Sequence, residues 1–191
     1  MNLRENLIEA AIHGNITTVR DALEKGANVN AIEYAYGCTA LIYASRNGHM
    51  EIVKLLLEKG ANIKAKDDVG ATALMHASRN GQTETVKLLT EKDLDVNGKD
   101  YNGLTALMHA SGNGQMETVN LLIEKGADIN AKDNGGVTAL MDASVNGHME
   151  IVKLLLAKGV DVNAISNEGL TAAKYASNNG HMEIVSLLNK V

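Results

Sequence analysis

Apolar, small and polar positions recur along this chain with a fixed spacing of 33 residues. One threonine, one alanine and one glycine mark each copy of the pattern: Thr39, Thr72, Thr105, Thr138 and Thr171; Ala44, Ala77, Ala110, Ala143 and Ala176; Gly48, Gly81, Gly114, Gly147 and Gly180. Residues 47–57 are repeated letter for letter at residues 146–156, three periods later. A fixed period of this length is typical of a solenoid, in which copies of one small unit stack on one another.

Each copy of the pattern predicts a turn followed by two short helices. Residues 67–70 have the composition of a type I turn, with Asp first and Gly fourth, and Thr72 is placed to cap the helix that follows. Leu74 and Ala77 lie on one face of this first helix, and a second helix is predicted near residues 84–92. Neither helix is long enough to be stable alone, so its stability must come from stacking.

The repeated letters identify a resemblance to a known family. The sequences Asp-x-x-Gly-x-Thr-Ala-Leu, Ala-Ser-x-Asn-Gly, Val-x-Leu-Leu and Gly-Ala-x-Ile/Val-Asn-Ala resemble the ankyrin repeat in register over nearly the whole chain. The resemblance implies an all-α solenoid of about six helix-turn-helix repeats, with short β-turn fingers between them and polar capping repeats at both ends. We expect residues 1–191 to form one domain, with an N-terminal capping repeat at 1–33, full repeats at 34–66, 67–99, 100–132 and 133–165, and a C-terminal capping repeat at 166–191.

The pattern is interrupted most often at the end of the third repeat. Thr90 replaces an aliphatic residue, Asp93 replaces the glycine that ends the second helix elsewhere, and Gly98 replaces an alanine. Gly112 then lies in the next helix, where Arg occurs in two earlier copies. Each of these replacements should reduce the stability of the repeat slightly, and they lie close together. We therefore predict that hydrogen exchange, apart from the chain ends, is fastest between Thr90 and Gly112.

Composition and charge exclude some classes of function. The chain carries a net charge of −5, which argues against general affinity for nucleic acid. It contains no apolar run of membrane-spanning length, so no membrane partner is expected. Cys38 is the single cysteine; it excludes an internal disulfide, fits a cytoplasmic location and is expected to be a surface thiol. A monomer is the default expectation.

The resemblance implies a concave binding surface formed by the fingers and the first helices of the repeats. On these helices, side chains four, seven and eight residues after each threonine vary between copies, whereas the core positions do not. The five tyrosines also lie on the fingers or on this helix face, and tyrosine is a typical anchor of protein interfaces. The candidate protein-binding residues are Tyr34, Tyr36, Tyr43, Arg46, Asp68, His76, Arg79, Tyr101, His109, Asp142 and Tyr175. For Tyr43 and Tyr175, packing along the helix surface is an equally good interpretation.

Catalytic, cofactor and metal sites find little support in the sequence. The His-x-Glu triplets at residues 49–51, 148–150 and 181–183 lack the cysteine partners of zinc deaminases, so we interpret them as features of the repeat. His76 and His109 occupy equivalent positions in adjacent repeats, where helix packing would separate them by about 8–10 Å, too far to share one zinc ion. No phosphate-binding loop motif occurs. We therefore expect no enzyme activity, no metal and no cofactor.

The sequence favours a non-catalytic scaffold that binds another protein of unknown identity. Two alternatives remain open at this stage. One is a consensus-like or engineered scaffold without a natural ligand, which the verbatim internal copies suggest. The other is a regulatory inhibitor or adaptor subunit of an enzyme. One repeat architecture supports many different binding functions, so the fold alone does not choose among them.

Overall fold

The structure is a computed structural model that describes residues 2–92 and 95–190. The helices in these residues alternate between first and second members of six pairs. Their bounds are α1 Leu3–His13, α2 Ile16–Glu24, α3 Ala40–Arg46, α4 Met50–Glu58, α5 Ala73–Arg79, α6 Thr83–Glu91, α7 Ala106–Gly112, α8 Met116–Glu124, α9 Ala139–Val145, α10 Met149–Ala157, α11 Ala172–Asn178 and α12 Met182–Leu188. Within the described residues, extended structure is limited to two isolated bridges, Ile32 with Thr39 and Lys66 with Thr72. The all-α prediction is confirmed.

The repeated threonines start the first helices as predicted. The hydroxyl of Thr105 accepts a hydrogen bond from the amide of Met108 at 3.3 Å, and Thr138 and Thr171 accept in the same way. Such a bond satisfies one of the amides that the first helical turn leaves unpaired. The helix ends also follow the sequence: α5 ends at Arg79, and Gly81 adopts the left-handed φ of 68° that reverses the chain toward α6.

The first compact unit spans Met1–Asp95 and contains α1 to α6. The first helices α1, α3 and α5 pack side by side, while α2, α4 and α6 form a second layer. Alanines at the helix contacts, such as Ala44 and Ala77, have no exposed surface, and Leu41 and Leu74 are almost completely buried beside them. Small residues at these positions allow two helix backbones to approach closely.

The second compact unit spans Val96–Val191 and contains α7 to α12. Its first helices α7, α9 and α11 pack in sequence, and its second helices cover them on one side. Met108 and Met141, which follow the repeated Thr-Ala-Leu of α7 and α9, are buried to 2% and 1% exposure. Flexible thioether side chains therefore fill the core at these positions.

Histidines of the His-x-Glu triplets join successive helix pairs within each unit. The Nε2 atom of His49 donates to the carbonyl of Ile12 at 3.0 Å in the first unit. In the second unit, His148 donates to the carbonyl of Gly112 at 3.1 Å and His181 to that of Val145 at 3.2 Å. Each bond satisfies a carbonyl at the C-terminal end of the preceding first helix. The interpretation of these triplets as features of the repeat is confirmed.

Among the described residues, asparagines in three of the loops that follow second helices make a further bond between copies. The Oδ1 atom of Asn130 accepts from the amide of Asp161 at 2.8 Å, and Asn97 accepts from Asp128 at 2.8 Å. Asn30 accepts from the amide of Asn62 at 2.7 Å in the first unit. These bonds fix the positions of adjacent loops relative to one another, and they thereby fix the spacing of the fingers that follow the loops.

None of the helices in residues 2–92 and 95–190 combines the length and the apolar composition needed to cross a bilayer.

Candidate protein-binding surface

The fingers, defined here as residues 31–39, 64–72, 97–105, 130–138 and 163–171, are held in shape by one side chain each. In the second finger, Oδ1 of Asp67 accepts from the amides of Val69 and Ala71 at 3.1 and 2.8 Å, and the amide of Gly70 donates to the Asp67 carbonyl. Asp100 and Asp133 make the same bonds in the next two fingers. The predicted turn is thus present, with one carboxylate oxygen used entirely to close it.

Adjacent fingers pair through their backbones within each unit. The amide of Asp68 donates to the carbonyl of Tyr36 at 3.0 Å in the first unit. In the second unit, the amide of Asn134 donates to the carbonyl of Asn102 at 3.0 Å, and that of Asn167 to the carbonyl of Gly135 at 2.8 Å. These bonds hold neighbouring fingertips in a fixed register, so that the side chains between them form a continuous edge within a unit.

The side chain four residues after each threonine supports the finger of its own repeat. Nε2 of His76 lies 2.8 Å from Oδ2 of Asp67, and the equivalent distance from His109 to Asp100 is 3.3 Å. The Tyr43 hydroxyl donates to Oε2 of Glu33 at 3.1 Å, and burial raises the pKa of that hydroxyl. Tyr175 donates to Oγ of Ser166 at 3.2 Å. These four side chains are half-buried and hold the fingers against the helices.

Asp142 occupies the same position but faces a second carboxylate. Asp133 lies at the finger position that Asp67 and Asp100 occupy in earlier copies. Burial, together with the negative charge of Asp133, raises the pKa of Asp142 from its ordinary value of 3.8 to about 7. This repeat therefore holds a proton near neutral pH where the preceding repeat holds a histidine beside an aspartate.

The finger tyrosines are exposed, in contrast to the helical ones. Tyr34, Tyr36 and Tyr101 expose 80%, 68% and 65% of their surface. The guanidinium of Arg4 lies over the ring of Tyr34, 3.7 Å from its centroid, and this cation–π contact orients the ring. No sequence pattern predicted this contact, because the two residues belong to different elements and share no motif.

Large exposed apolar side chains concentrate on the fingers. Among the described residues, six of the eight such side chains lie on fingers: Ile32, Tyr34, Tyr36, Val69, Tyr101 and Ile165. The other two, Leu3 and Met182, lie at the starts of α1 and α12. Apolar side chains placed on an edge that is otherwise polar are typical of a binding surface.

The structure divides the candidate residues between the two units. The first unit contains Tyr34, Tyr36, Tyr43, Arg46, Asp68, His76 and Arg79. The second unit contains Tyr101, His109, Asp142 and Tyr175. Arg46, Asp68 and Arg79 are exposed. Their participation in binding stays a prediction.

The prediction that Cys38 is a surface thiol is wrong. Cys38 is buried to 4% exposure at the base of the first finger, with Sγ 3.9 Å from the carbonyl oxygen of Tyr36. Burial, with the nearby charge of Asp67, raises the pKa of the thiol to about 11. A signal in the sequence could have shown this: the residues one, two, three and four periods later are Ala71, Leu104, Val137 and Leu170, all apolar.

Comparison with known families supports the resemblance seen in the sequence. A family model described as ankyrin repeats in three copies matches residues 3–67 and 64–133. A second model, described as ankyrin repeats in many copies, matches residues 122–176. No curated protein matches the chain.

Proposed function

The chain belongs to the ankyrin repeat family, whose repeats generally act as protein–protein interaction modules, and we propose that it is a non-catalytic protein that binds another protein through its fingers and first helices. The observation that carries this proposal is the concentration of exposed apolar side chains on the fingers. A large flat ring with a polar tip gains contact area at little entropic cost, which makes the exposed tyrosines the strongest candidates for anchors.

Two groups of residues have different roles in this proposal. Tyr34, Tyr36 and Tyr101 would contact the partner directly, with the exposed charges of Arg46, Asp68 and Arg79 beside them. The half-buried side chains would act on the partner only by holding the fingers in place: Tyr43, His76, His109, Asp142 and Tyr175. Charged residues at the edge of an interface contribute mainly to association rate and specificity, so the tyrosines should dominate affinity.

The proposal includes a cellular setting. A monomer in the cytoplasm is consistent with a single buried cysteine and no disulfide. The net charge of −5 favours a protein partner over nucleic acid. The partner itself must be found by experiment, because repeat proteins of one architecture bind unrelated surfaces.

The test is to replace Tyr34, Tyr36 and Tyr101 together by Ala. We expect the affinity for a partner captured from a lysate of the source, and then purified, to fall by at least about 100-fold, since anchor residues contribute at least about 2 kcal/mol each. Isothermal calorimetry on the purified pair measures this change. The melting temperature should move little, because the three rings are exposed and contribute little to the core.

Met182→Ala is the matched control, because Met182 is 61% exposed but lies at the start of α12 rather than on a finger. It should leave the affinity unchanged. An unaltered affinity in the triple variant would remove the finger tyrosines from the site. Recovery of no specific partner from the lysate would favour a scaffold without a natural ligand, and captured enzyme activity that the protein suppresses would favour an inhibitor or adaptor subunit.

A further inference from the structure

Three side chains with metal-binding atoms meet at the base of the first two fingers. Cys38 comes from the first finger, Asp67 from the second, and His76 from α5. Their ligand atoms all lie within 4.8 Å of one another. Cys38 and Asp67 are buried, and His76 is half-buried. Within the described residues, this is the one group of three or more such side chains that meets this spacing.

The carboxylate and the imidazole of this group are already oriented. Both amides that bind Asp67 use its Oδ1 atom, which leaves Oδ2 directed at Nε2 of His76 at 2.8 Å. In protein metal sites, hydrogen bonds of this kind to a liganding carboxylate fix its orientation and raise affinity. The backbone of the turn supplies them here before any ion binds.

We propose that Cys38, Asp67 and His76 form a binding site for a single divalent transition-metal ion, with zinc as the best fit. Thiolate, imidazole and carboxylate are the three ligand types that zinc accepts in proteins, at about 2.3, 2.0 and 2.0–2.2 Å. Ligand atoms at these distances in a tetrahedron lie about 3.3–3.8 Å apart. The present spacing is within about 1 Å of that arrangement, so side-chain rotation is sufficient.

The charges of the site balance those of the ion. On binding, the Cys38 thiol loses its proton to solvent and its sulfur becomes a ligand. Neutral His76, whose Nε2 donates to Asp67 before the ion binds, gives up that proton and takes one on Nδ1, so that Nε2 becomes a ligand with no net change in the protons on the ring. The thiolate and the Asp67 carboxylate then offset the two positive charges of zinc. The fourth position is left for water or for a side chain of a partner, because Tyr43 and Glu33 nearby are bonded to each other.

A second Asp–His pair, which lacks the cysteine, provides an internal comparison for this proposal. The Asp–His pair recurs at Asp100 and His109, where it supports the finger. By the 33-residue period, the residue that corresponds to Cys38 for that pair is Ala71, which offers no ligand atom. The pair alone thus has a structural role in two repeats, and the cysteine adds a third ligand in one of them.

Cobalt and zinc titrations of the full-length reduced protein test the site. We expect one equivalent of Co²⁺ to bind, with a thiolate-to-cobalt charge-transfer band and the intense visible bands of a tetrahedral ion, and Zn²⁺ to displace it. Cys38→Ala should abolish the charge-transfer band. Cys38→Ala and His76→Gln should each weaken zinc binding by at least about 100-fold, since even changes outside the ligands cost about 10–100-fold.

His109→Gln is the matched control and should leave zinc affinity and the cobalt spectrum unchanged. Circular dichroism of Cys38→Ala establishes that any loss of binding comes from the missing ligand; an alanine already occupies the equivalent position 71. The proposal is overturned if the native protein shows no charge-transfer band, if Cys38→Ala binds zinc as tightly as the native protein, or if His109→Gln weakens binding as much as His76→Gln. This test is independent of partner binding.

Discussion

A single carboxyl group, Asp142, makes the stability of the fourth full repeat depend on pH. Its pKa is raised to about 7, so the folded protein keeps this proton over a range in which the unfolded chain, with a pKa near 3.8, has released it. The folded state then binds more protons than the unfolded state between these values. The free energy of unfolding contributed by this group must fall as the pH rises from about 4 to about 7.

We predict that Asp142→Asn flattens this dependence and raises stability above neutral pH. The amide has the size of the carboxyl group but carries no charge to repel Asp133. Urea unfolding of both proteins at pH 5, 6, 7 and 8 measures the effect. The native protein should lose stability relative to the variant from pH 5 to about pH 7 and no further above it, so that the variant is the more stable at pH 8. Equal slopes in both proteins would show that Asp142 is already ionised in the native state.

Two glycines of the second unit, Gly112 and Gly147, should respond in opposite ways to the same substitution. Gly112 is the last residue of α7, and a Cβ there would lie 3.5 Å from the Cβ of Asp142, an ordinary contact. Gly112→Ala should stabilise the protein by about 0.5–1 kcal/mol through lower backbone entropy of the unfolded chain. Gly147 has a φ of 75°, and its Cβ would lie 2.5–3.0 Å from the His181 ring. Gly147→Ala should therefore destabilise the protein, and thermal unfolding of the pair measures both changes. Stabilisation by both would mean that left-handed geometry at Gly147 is not required.

Residue spacing predicted some of these features and missed others for a physical reason. Thr72, Gly81 and the turn at 67–70 follow from local chemistry, and the structure has them where the period places them. The burial of Cys38 could have been read from its apolar equivalents, but its meeting with Asp67 and His76 could not, because these residues lie 29 and 38 positions later and only stacking brings them near. The cation–π contact of Arg4 with Tyr34 also depends on tertiary packing, which no local pattern reports.

At the scale of elements, asparagine side chains link three pairs of successive loops among the described residues. Asn130 accepts from Asp161 across two loops, while its own amide donates to Asp128 at 2.9 Å within its loop. Asn163 has the same local bond, to Asp161 at 2.9 Å, but within the described residues its side chain accepts no hydrogen bond from a later loop. The two asparagines therefore differ in the bond between loops and share the bond within the loop.

We predict that Asn130→Ala lowers the free energy of unfolding by about 0.5–1.5 kcal/mol, the usual contribution of one hydrogen bond. Asn163→Ala should have a smaller effect, because it removes no acceptor between loops. Chemical denaturation of the two variants gives the comparison. If both lose the same stability, the asparagine acts on its own loop and the bond to Asp161 contributes nothing.

At the scale of the whole molecule, the boundary between the two compact units falls at residues 95 and 96, inside the segment that interrupts the repeat pattern. Thr90 lies at the start of this segment. Its hydroxyl group donates to the carbonyls of Val86 and Lys87, both at 2.9 Å, so this polar group has hydrogen-bond partners. Asp93 lies outside the described residues, so its predicted strain rests on the sequence alone. Chains of repeats unfold first where the coupling between neighbours is weakest.

We predict that amide hydrogen exchange, apart from the chain ends, is fastest between Thr90 and Gly112, as measured by mass spectrometry of peptides. Asp93→Gly should raise the melting temperature, since glycine adopts a left-handed helix end at a lower cost of about 1 kcal/mol. Slower exchange here than in the equivalent segment around residues 123–145 would contradict the prediction. An unchanged or lower melting temperature in Asp93→Gly would show that this residue is not strained.

The two oxygens of the finger aspartates also bear on how such a chain can change over time. When a repeat is copied within a gene, the turn travels with it, because Oδ1 of an aspartate such as Asp67 closes that turn by itself. Oδ2 of the same aspartate remains a second acceptor, and it faces the helix position four residues after the threonine, which varies between copies. The copies differ at that position, with His109 in one and Asp142 in the next, and this difference alters the chemistry of a copy while its first helix keeps the same length. One oxygen of the aspartate thus holds what the copies share, and the other faces the position at which they differ.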